Sequence, residues 1–159
     1  MRFVGIDPGL TGAIALLTPD ESQVHDLPRN TDGLAGDTIY RLLVEWDPTE
    51  VYVERTHAMP TNGSKAGYSL GDSNGSIRTA VHIAKVPLVW VPPLKWQNHF
   101  HLTGVTDKDR KDRSRWRAQE LWPSLADQLG RARDHNRAEA LLIAEYGRRT
   151  SITAAVLNG

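Results

Sequence analysis

GIDPGLTG, residues 5–12, lies between two apolar runs, RFV before it and AIALL after it. An apolar run that ends on a carboxylate, Asp7, and is followed at once by Pro8, Gly9 and Gly12 reads as a buried strand, a tight reversal and an antiparallel partner. Gly9 and Gly12 let the chain turn back, which leaves Asp7 at the point where the first strand stops being buried. An acid at that point suits a turn cap, a phosphate cradle or a metal site.

Working outward from this hairpin, SQVHDLP continues as a third strand, and LAGDTIYRLLVEW sets Leu34, Ile39, Leu42, Leu43 and Trp46 at helical spacing before Asp47-Pro48 stops it. EVYVER is the next strand. SKAGYSLGDSNGSIRTAVHIAK reads as a long helix in spite of Gly67, Gly71 and Gly75, which cost it roughly 1 kcal/mol each against alanine. Their four-residue spacing puts them on one flank, where a neighbouring backbone can come close; helix-on-strand packing is the plainer expectation, a nucleic-acid strand the other. VPLVWVPP is a further strand ended by its prolines, and KDRSRWRAQELWP and HNRAEALLIAEYGRR are two more amphipathic helices. Strands alternating with helices after an initial meander predict an α/β fold, a mixed sheet with helices on both faces, organised as one domain over residues 1–159.

Composition narrows the chemistry. The chain has no cysteine, so disulfides and thiolate metal sites are excluded and any metal must be held by oxygen or histidine. No apolar run is long enough to span a membrane, and MRFVGID is not a signal peptide, so a soluble protein of the cytoplasm is expected. Lys+Arg and Asp+Glu both number 19, yet the charge is uneven: Lys108 to Arg117 holds six basic residues and two acids, and Arg148-Arg149 adds a basic pair. A positive face on a neutral protein suits a nucleic acid, and a solvated face of mixed charge suits it equally.

Three carboxylates have apolar neighbours. Asp7 follows Val4 and Ile6, Glu54 follows Val51 and Val53, and Glu139 precedes Leu141, Leu142 and Ile143. An acid beside a core costs several kcal/mol unless a cation or hydrogen bonds compensate it. If the two strands are neighbours and the last helix crosses them, the three converge on a site for a hard divalent ion. Each also has a local explanation: a turn for Asp7, a surface cation such as Arg55 for Glu54, and a capping box with Asn136 for Glu139.

Together these pieces resemble the RuvC family of Holliday junction resolvases, within the ribonuclease H-like superfamily, and its compact phage-type and organellar members above all. The resemblance rests on GIDPGLTGAIAL, VYVER, the Gly-rich helix from Ser64, VPPLKWQNHF, KDRSRWRAQELWP and DHNRAEALLIAEYGRR, in that order along most of the chain. It implies a five-stranded ribonuclease H-like sheet and a homodimer that nicks opposing strands of four-way or branched DNA with two Mg²⁺ ions, Mn²⁺ substituting, in recombination, repair or phage DNA processing. Asp7, Glu54 and Glu139 carry over as metal ligands, Glu139 standing where the family usually has aspartate. Bacterial members place another acid or histidine three residues before the last one. Here that position is Asn136, so Asp134 or His135, or both, are expected as a fourth ligand or proton-handling group.

For DNA contacts the expectation names Met59, Lys65, Lys95, Lys111, Arg113 and Arg115, with Lys108, Arg110 and Arg117 as further phosphate partners. Tyr68 is expected in the core, and Trp90, Trp96, Trp116 and Trp122 in the core or a dimer interface. Two other functions compete. An actin-like phosphotransferase shares the first hairpin but needs a second lobe that 159 residues cannot hold. A non-catalytic nucleic-acid-binding relative would have no physical reason to keep three costly carboxylates.

Overall fold

The computed structural model describes residues 1–56, 63–151 and 155–156. In chain order its elements are β1 (Phe3–Asp7), β2 (Ala13–Leu17), β3 (Ser22–Asp26), α1 (Gly36–Trp46), β4 (Glu50–Glu54), α2 (Gly63–Ile83), β5 (Leu88–Val91), α3 (Pro93–His99), α4 (Asp107–Leu121) and α5 (His135–Thr150), with 3₁₀ turns at Pro123–Gln128 and Ala132–Asp134. The strands form one mixed sheet ordered β3-β2-β1-β4-β5. β1, β2 and β3 are an antiparallel meander, and β4 and β5 run parallel to β1. The hairpin and the helices on both faces match the sequence expectation.

The central strands are apolar on both faces, and their alternation sorts the two layers. Val4, Ile6, Ile14, Leu16, Val51 and Val53 pack with Ile39, Leu43 and Trp46 of α1 and Ile77 and Val81 of α2. The opposite face presents Ala13, Ala15 and Leu17 to Ala138, Ala140, Leu141 and Ala144 of α5, and Phe3 and Tyr52 to Leu142 and Ile143. Each of the fully buried leucines and isoleucines contributes about 1.5–3 kcal/mol by leaving water.

On this second face α5 lies almost on the backbone of β1. A Cβ built at Gly5 would stand 2.2 Å from the Ala140 carbonyl oxygen and 2.3 Å from the Ala144 nitrogen, so only glycine fits. At the other end of the contact, a Cβ at Gly147 would meet the Tyr52 ring at 2.4 Å. Small residues therefore set the height of α5 above the sheet, and with it the height of Glu139.

Two local expectations change. Pro92-Pro93 ends β5 as expected, but Pro93 also opens α3, because a proline lacking its N–H suits the first turn of a helix. The glycines of α2 do not receive a strand or a helix: Cβ atoms at Gly71 and Gly75 would meet nothing within 4 Å. The apolar anchor of α2 lies in its second half, at Ile77, Ala80 and Val81, so the glycine flank is left facing a cavity.

Candidate active site

The hairpin that opens the chain is closed by Gly12 N–H donating to the Gly9 carbonyl at 3.0 Å. Gly9 has φ of 125°, a left-handed conformation that favours glycine. A Cβ on Gly12 would stand 2.1 Å from the Asp7 carbonyl oxygen, so the turn depends on its second glycine as well. The Asn136 side-chain amide donates to the Thr11 carbonyl and ties the turn to the start of α5. Asn136 therefore does not cap α5; Asp134 occupies that position.

The parallel ladder pairs Gly5 with Tyr52 and Ile6 with Val53, so the next step along the two strands brings Asp7 beside Glu54. Both alternate with residues that face α1 and α2, and so both point to the α5 side. Glu139, in the first turns of α5, lies over them. All three carboxylates are buried, at 8%, 8% and 6% exposure. Burial raises the Asp7 pKa well above the usual carboxylate range, and the charges of Glu139 and Glu54 raise it further while Arg110 and Lys111 oppose them. Glu54 is pushed up to about 7 by burial and by Glu139, against the lowering effect of its bond from Trp96. Glu139 is raised by burial, with Arg110 and Lys111 pulling it down.

Two neighbours hold these acids. The Trp96 indole N–H donates to Glu54 Oε2 at 2.7 Å, and the Arg110 guanidinium binds both Glu139 and Asp107. Neither role was read from the sequence, where Trp96 figured only as core or interface and Arg110 as a phosphate partner. The signal for Trp96 was chemical: a buried indole seeks an acceptor for its N–H. Arg110 carried no comparable signal, since 29 positions separate it from Glu139.

Among the described residues, no three His, Asp or Glu side chains stand in a metal-ligating arrangement; Glu139 is bonded to Arg110 and Glu54 to Trp96. The donor set nevertheless fits a hard divalent cation. It is all oxygen, comes from three elements, and holds acidic groups whose mutual repulsion a cation would relieve.

The other expected residues separate. Asp134 is buried but turned away from this cluster: it accepts from the Arg131 backbone N–H at 2.8 Å and from its guanidinium at 2.9 Å, and these bonds hold its carboxyl below the usual range despite burial. An acid that caps its own 3₁₀ turn is not free to join Asp7, so the structure does not bring Asp134 to the site. His135 has Nδ1 at 3.0 Å from the Ala132 carbonyl, and no contact of its ring with the three acids is formed among the described residues. Met59 lies outside the described residues. Lys65, Lys95, Lys108 and Arg113 are exposed.

Lys111 pairs with Asp107 at 2.9 Å and sits close enough to lower the pKa of Asp7 and Glu139. Arg115 is structural, donating to Asp112 at 2.6 Å and to the Gly130 carbonyl at 3.0 Å. Arg148 and Arg149 do not extend the positive face: both turn onto buried Glu145, each at 2.6 Å. Tyr68, expected in the core, is 79% exposed, because the first half of α2 extends past the sheet. Trp96 is buried, Trp90 and Trp122 half-buried, and Trp116 exposed.

No protein-family model matches the chain, and no curated protein matches it in sequence. Solved structures do match. Thermus thermophilus RuvC in complex with a Holliday junction substrate superposes with a TM-score of 0.66 at 16% identity, covering 95% of this chain and 96% of the other. The chain has a RuvC-type fold. RuvC of the same organism in a second structure gives 0.63 at 17% identity, with 94% and 96% covered. The yeast mitochondrial Holliday junction resolvase Ydc2 gives 0.52 at 12% identity, with 97% and 83% covered. The RuvC-type fold is ribonuclease H-like, as the sequence resemblance implied. Among the described residues no helix is long and apolar enough to cross a membrane.

Proposed function

We propose that this protein is a divalent-metal-dependent endonuclease that nicks opposing strands of four-way or branched DNA, acting as a homodimer. The observation that carries the reading is the meeting of three buried carboxylates, Asp7, Glu54 and Glu139, at one end of the central strands, beside Arg110 and Lys111. Uncompensated acids in such a place oppose folding, so their presence calls for a cation. The likeness to RuvC bound to a Holliday junction substrate supplies the class of DNA.

Asp7, Glu54 and Glu139 would hold Mg²⁺ or Mn²⁺, which supplies Lewis acidity and a more acidic water for phosphodiester hydrolysis. Trp96 positions Glu54 by donating to Oε2. Arg110 neutralises Glu139 and would release it if that carboxylate held an ion. Freed of that bond, and with Lys111 beside it, Arg110 is placed to pair with a substrate phosphate. Water adds to phosphorus as the bond to the 3′ oxygen breaks, giving a 5′-phosphate and a 3′-hydroxyl. Lys65, Lys95, Lys108 and Arg113 are exposed and offer positive charge to a DNA backbone.

The test is cleavage of a synthetic four-way junction, a linear duplex of the same sequences and a single strand, each with Mg²⁺ and with EDTA. Paired nicks in the junction alone, and only with Mg²⁺, are expected. Equal cutting of the duplex, or cutting in EDTA, would overturn the reading.

A further inference from the structure

At the end of the sheet away from the acids, where Phe3 of β1 pairs with Leu17 of β2, the last turns of α4 and α5 border a cavity of about 620 Å³. Phe3, Leu17, Leu121 and Trp122 give it an apolar wall, and Ser22, Arg148 and Arg149 a polar one. We infer that this cavity binds a nucleoside phosphate, with the base against Trp122 and the phosphate on the two guanidiniums. A free nucleotide and the phosphorylated 5′ end of a DNA strand share that chemistry. The inference does not depend on the nuclease reading.

A buried glutamate serving two arginines carries the inference. Glu145 is 3% exposed. Arg148 donates to it from Nε at 2.6 Å and from a terminal nitrogen at 2.7 Å, and Arg149 donates from Nε at 2.6 Å. Burial alone would raise the Glu145 pKa, yet the two guanidiniums hold it below the usual carboxylate range. The carboxylate is therefore ionised, and one cation would neutralise it. The second leaves a net positive charge at the cavity, and two guanidiniums on one carboxylate repel each other at close range. An ion pair that served stability alone would need one arginine; an anion in the cavity accounts for both. Each is also held in place, Arg148 by its two bonds and Arg149 by a cation–π contact with Phe100 at 5.6 Å. Both keep access to solvent. The second terminal nitrogen of Arg148 and both of Arg149 carry no hydrogen bond among the described residues. Fixed forks with several free donors suit the three oxygens of a phosphate monoester.

The apolar wall suits the rest of the ligand. Trp122 is half-buried, and an aromatic face of this kind stacks on any base. Unlike the Trp96 indole N–H, which holds Glu54, the Trp122 indole N–H has no acceptor among the described residues, and the Ser22 hydroxyl has no partner there either. Both can bond to polar atoms of a base or sugar. The volume falls within the roughly 300–1,000 Å³ range of small-ligand sites. The cavity is also separate from the acids. Asp7 ends β1 and Glu139 lies near the start of α5, whereas the cavity touches the first residue of β1 and the last turns of α5. The separation is about 13 Å along either element, so a nucleotide held here leaves the acids free.

The test follows the ¹⁵N indole signals of the metal-free full chain, with Trp96 and Trp122 assigned by Trp96→Phe and Trp122→Phe. Deoxyadenosine monophosphate is expected to shift Trp122 and leave Trp96 still, at a concentration roughly tenfold or more below that needed by inorganic phosphate or by deoxyadenosine. A hexanucleotide with a 5′-phosphate is the second arm. A matching response assigns the cavity to strand ends as well, and a response to the mononucleotide alone confines it to free nucleotides. Arg148→Gln, which leaves Arg149 to neutralise Glu145, is expected to raise the mononucleotide concentration needed by roughly tenfold or more. Ser22→Leu, which narrows the cavity from the edge strand β3, is expected to do the same, so the outcome does not hang on the folding of one variant. The proposal fails if neither nucleotide ligand moves Trp122, if phosphate or deoxyadenosine moves it at the same concentration, if Trp96 moves instead, or if either folded variant binds as the wild type does.

Discussion

Asp7, Glu54 and Glu139 each had a plausible local explanation in the sequence, and it is their burial together that sets those explanations aside. The buried cluster carries a pH signature. The folded Glu54 pKa, at about 7, lies above its ordinary value of 4.5, so its contribution to stability is full below about pH 4.5 and is lost as the pH rises through about 7. In EDTA, Glu54→Gln should therefore melt above the wild type by a margin that grows from pH 4.5 to 8, at roughly 2–4 °C for each kcal/mol relieved. A pH-independent margin in differential scanning calorimetry would contradict this. Glutamine can still accept from Trp96, so that bond is not the variable.

Arg110→Ala leaves Glu139 buried without its cation, a loss of about 3 kcal/mol at pH 8. Mg²⁺ or Mn²⁺ should restore part of the lost melting temperature. No metal-dependent recovery would mean that Arg110 and an ion do not share Glu139. Asp7, Glu54 and Glu139 were legible as a set because strand-end and last-helix positions are visible in hydrophobic patterning. Asp134 stands apart from that set, because it is held by a three-residue ion pair with Arg131, and RARD shows that spacing in the sequence itself.

Among the elements, β1, β2, β4 and α5 place the site, and their pairing follows from apolar alternation that any reading of the chain finds. The height of α5 above β1 is another matter. It depends on Gly5 facing the backbone at Ala140 and Ala144, a contact across the fold that has no local signature. Gly5→Ala should cost about 1–3 kcal/mol, toward the upper end because backbone atoms cannot step aside, and should slow cleavage by displacing Glu139. An unchanged melting temperature would show that α5 can lift without cost. Helix α3 went unread for the opposite reason: Pro92-Pro93 signals the end of a strand and the start of a helix at once.

Within α4 the structure divides residues that composition treats alike. Arg113 is exposed and unpaired among the described residues, whereas Arg115 is held by Asp112 and Gly130. Arg113→Ala should lower the salt dependence of junction binding by about one unit of log–log slope. Arg115→Ala should lower the melting temperature and leave that slope alone. The reverse pattern would move the DNA to the other side of the helix.

At the scale of the whole molecule, several basic residues of this neutral chain are already paired with acids. Arg131, Arg137, Arg148 and Arg149 are paired with acids away from the site, while Lys65, Lys95, Lys108 and Arg113 stay exposed. That internal pairing is why the sum of charges carried little information and why the basic pair at 148–149 misled. The RuvC-type architecture then presents the acids at one end of the central strands, where a bound strand can reach them.

The most direct measurement is single-turnover cleavage of one four-way junction, with Mg²⁺ and protein in excess, by the wild type and Asp7→Asn, alongside junction affinity for both. The account requires near-equal affinity and a cleavage rate about 10³-fold lower in Asp7→Asn, the loss of several kcal/mol of metal-borne transition-state stabilisation. Cleavage by Asp7→Asn at the wild-type rate would contradict it.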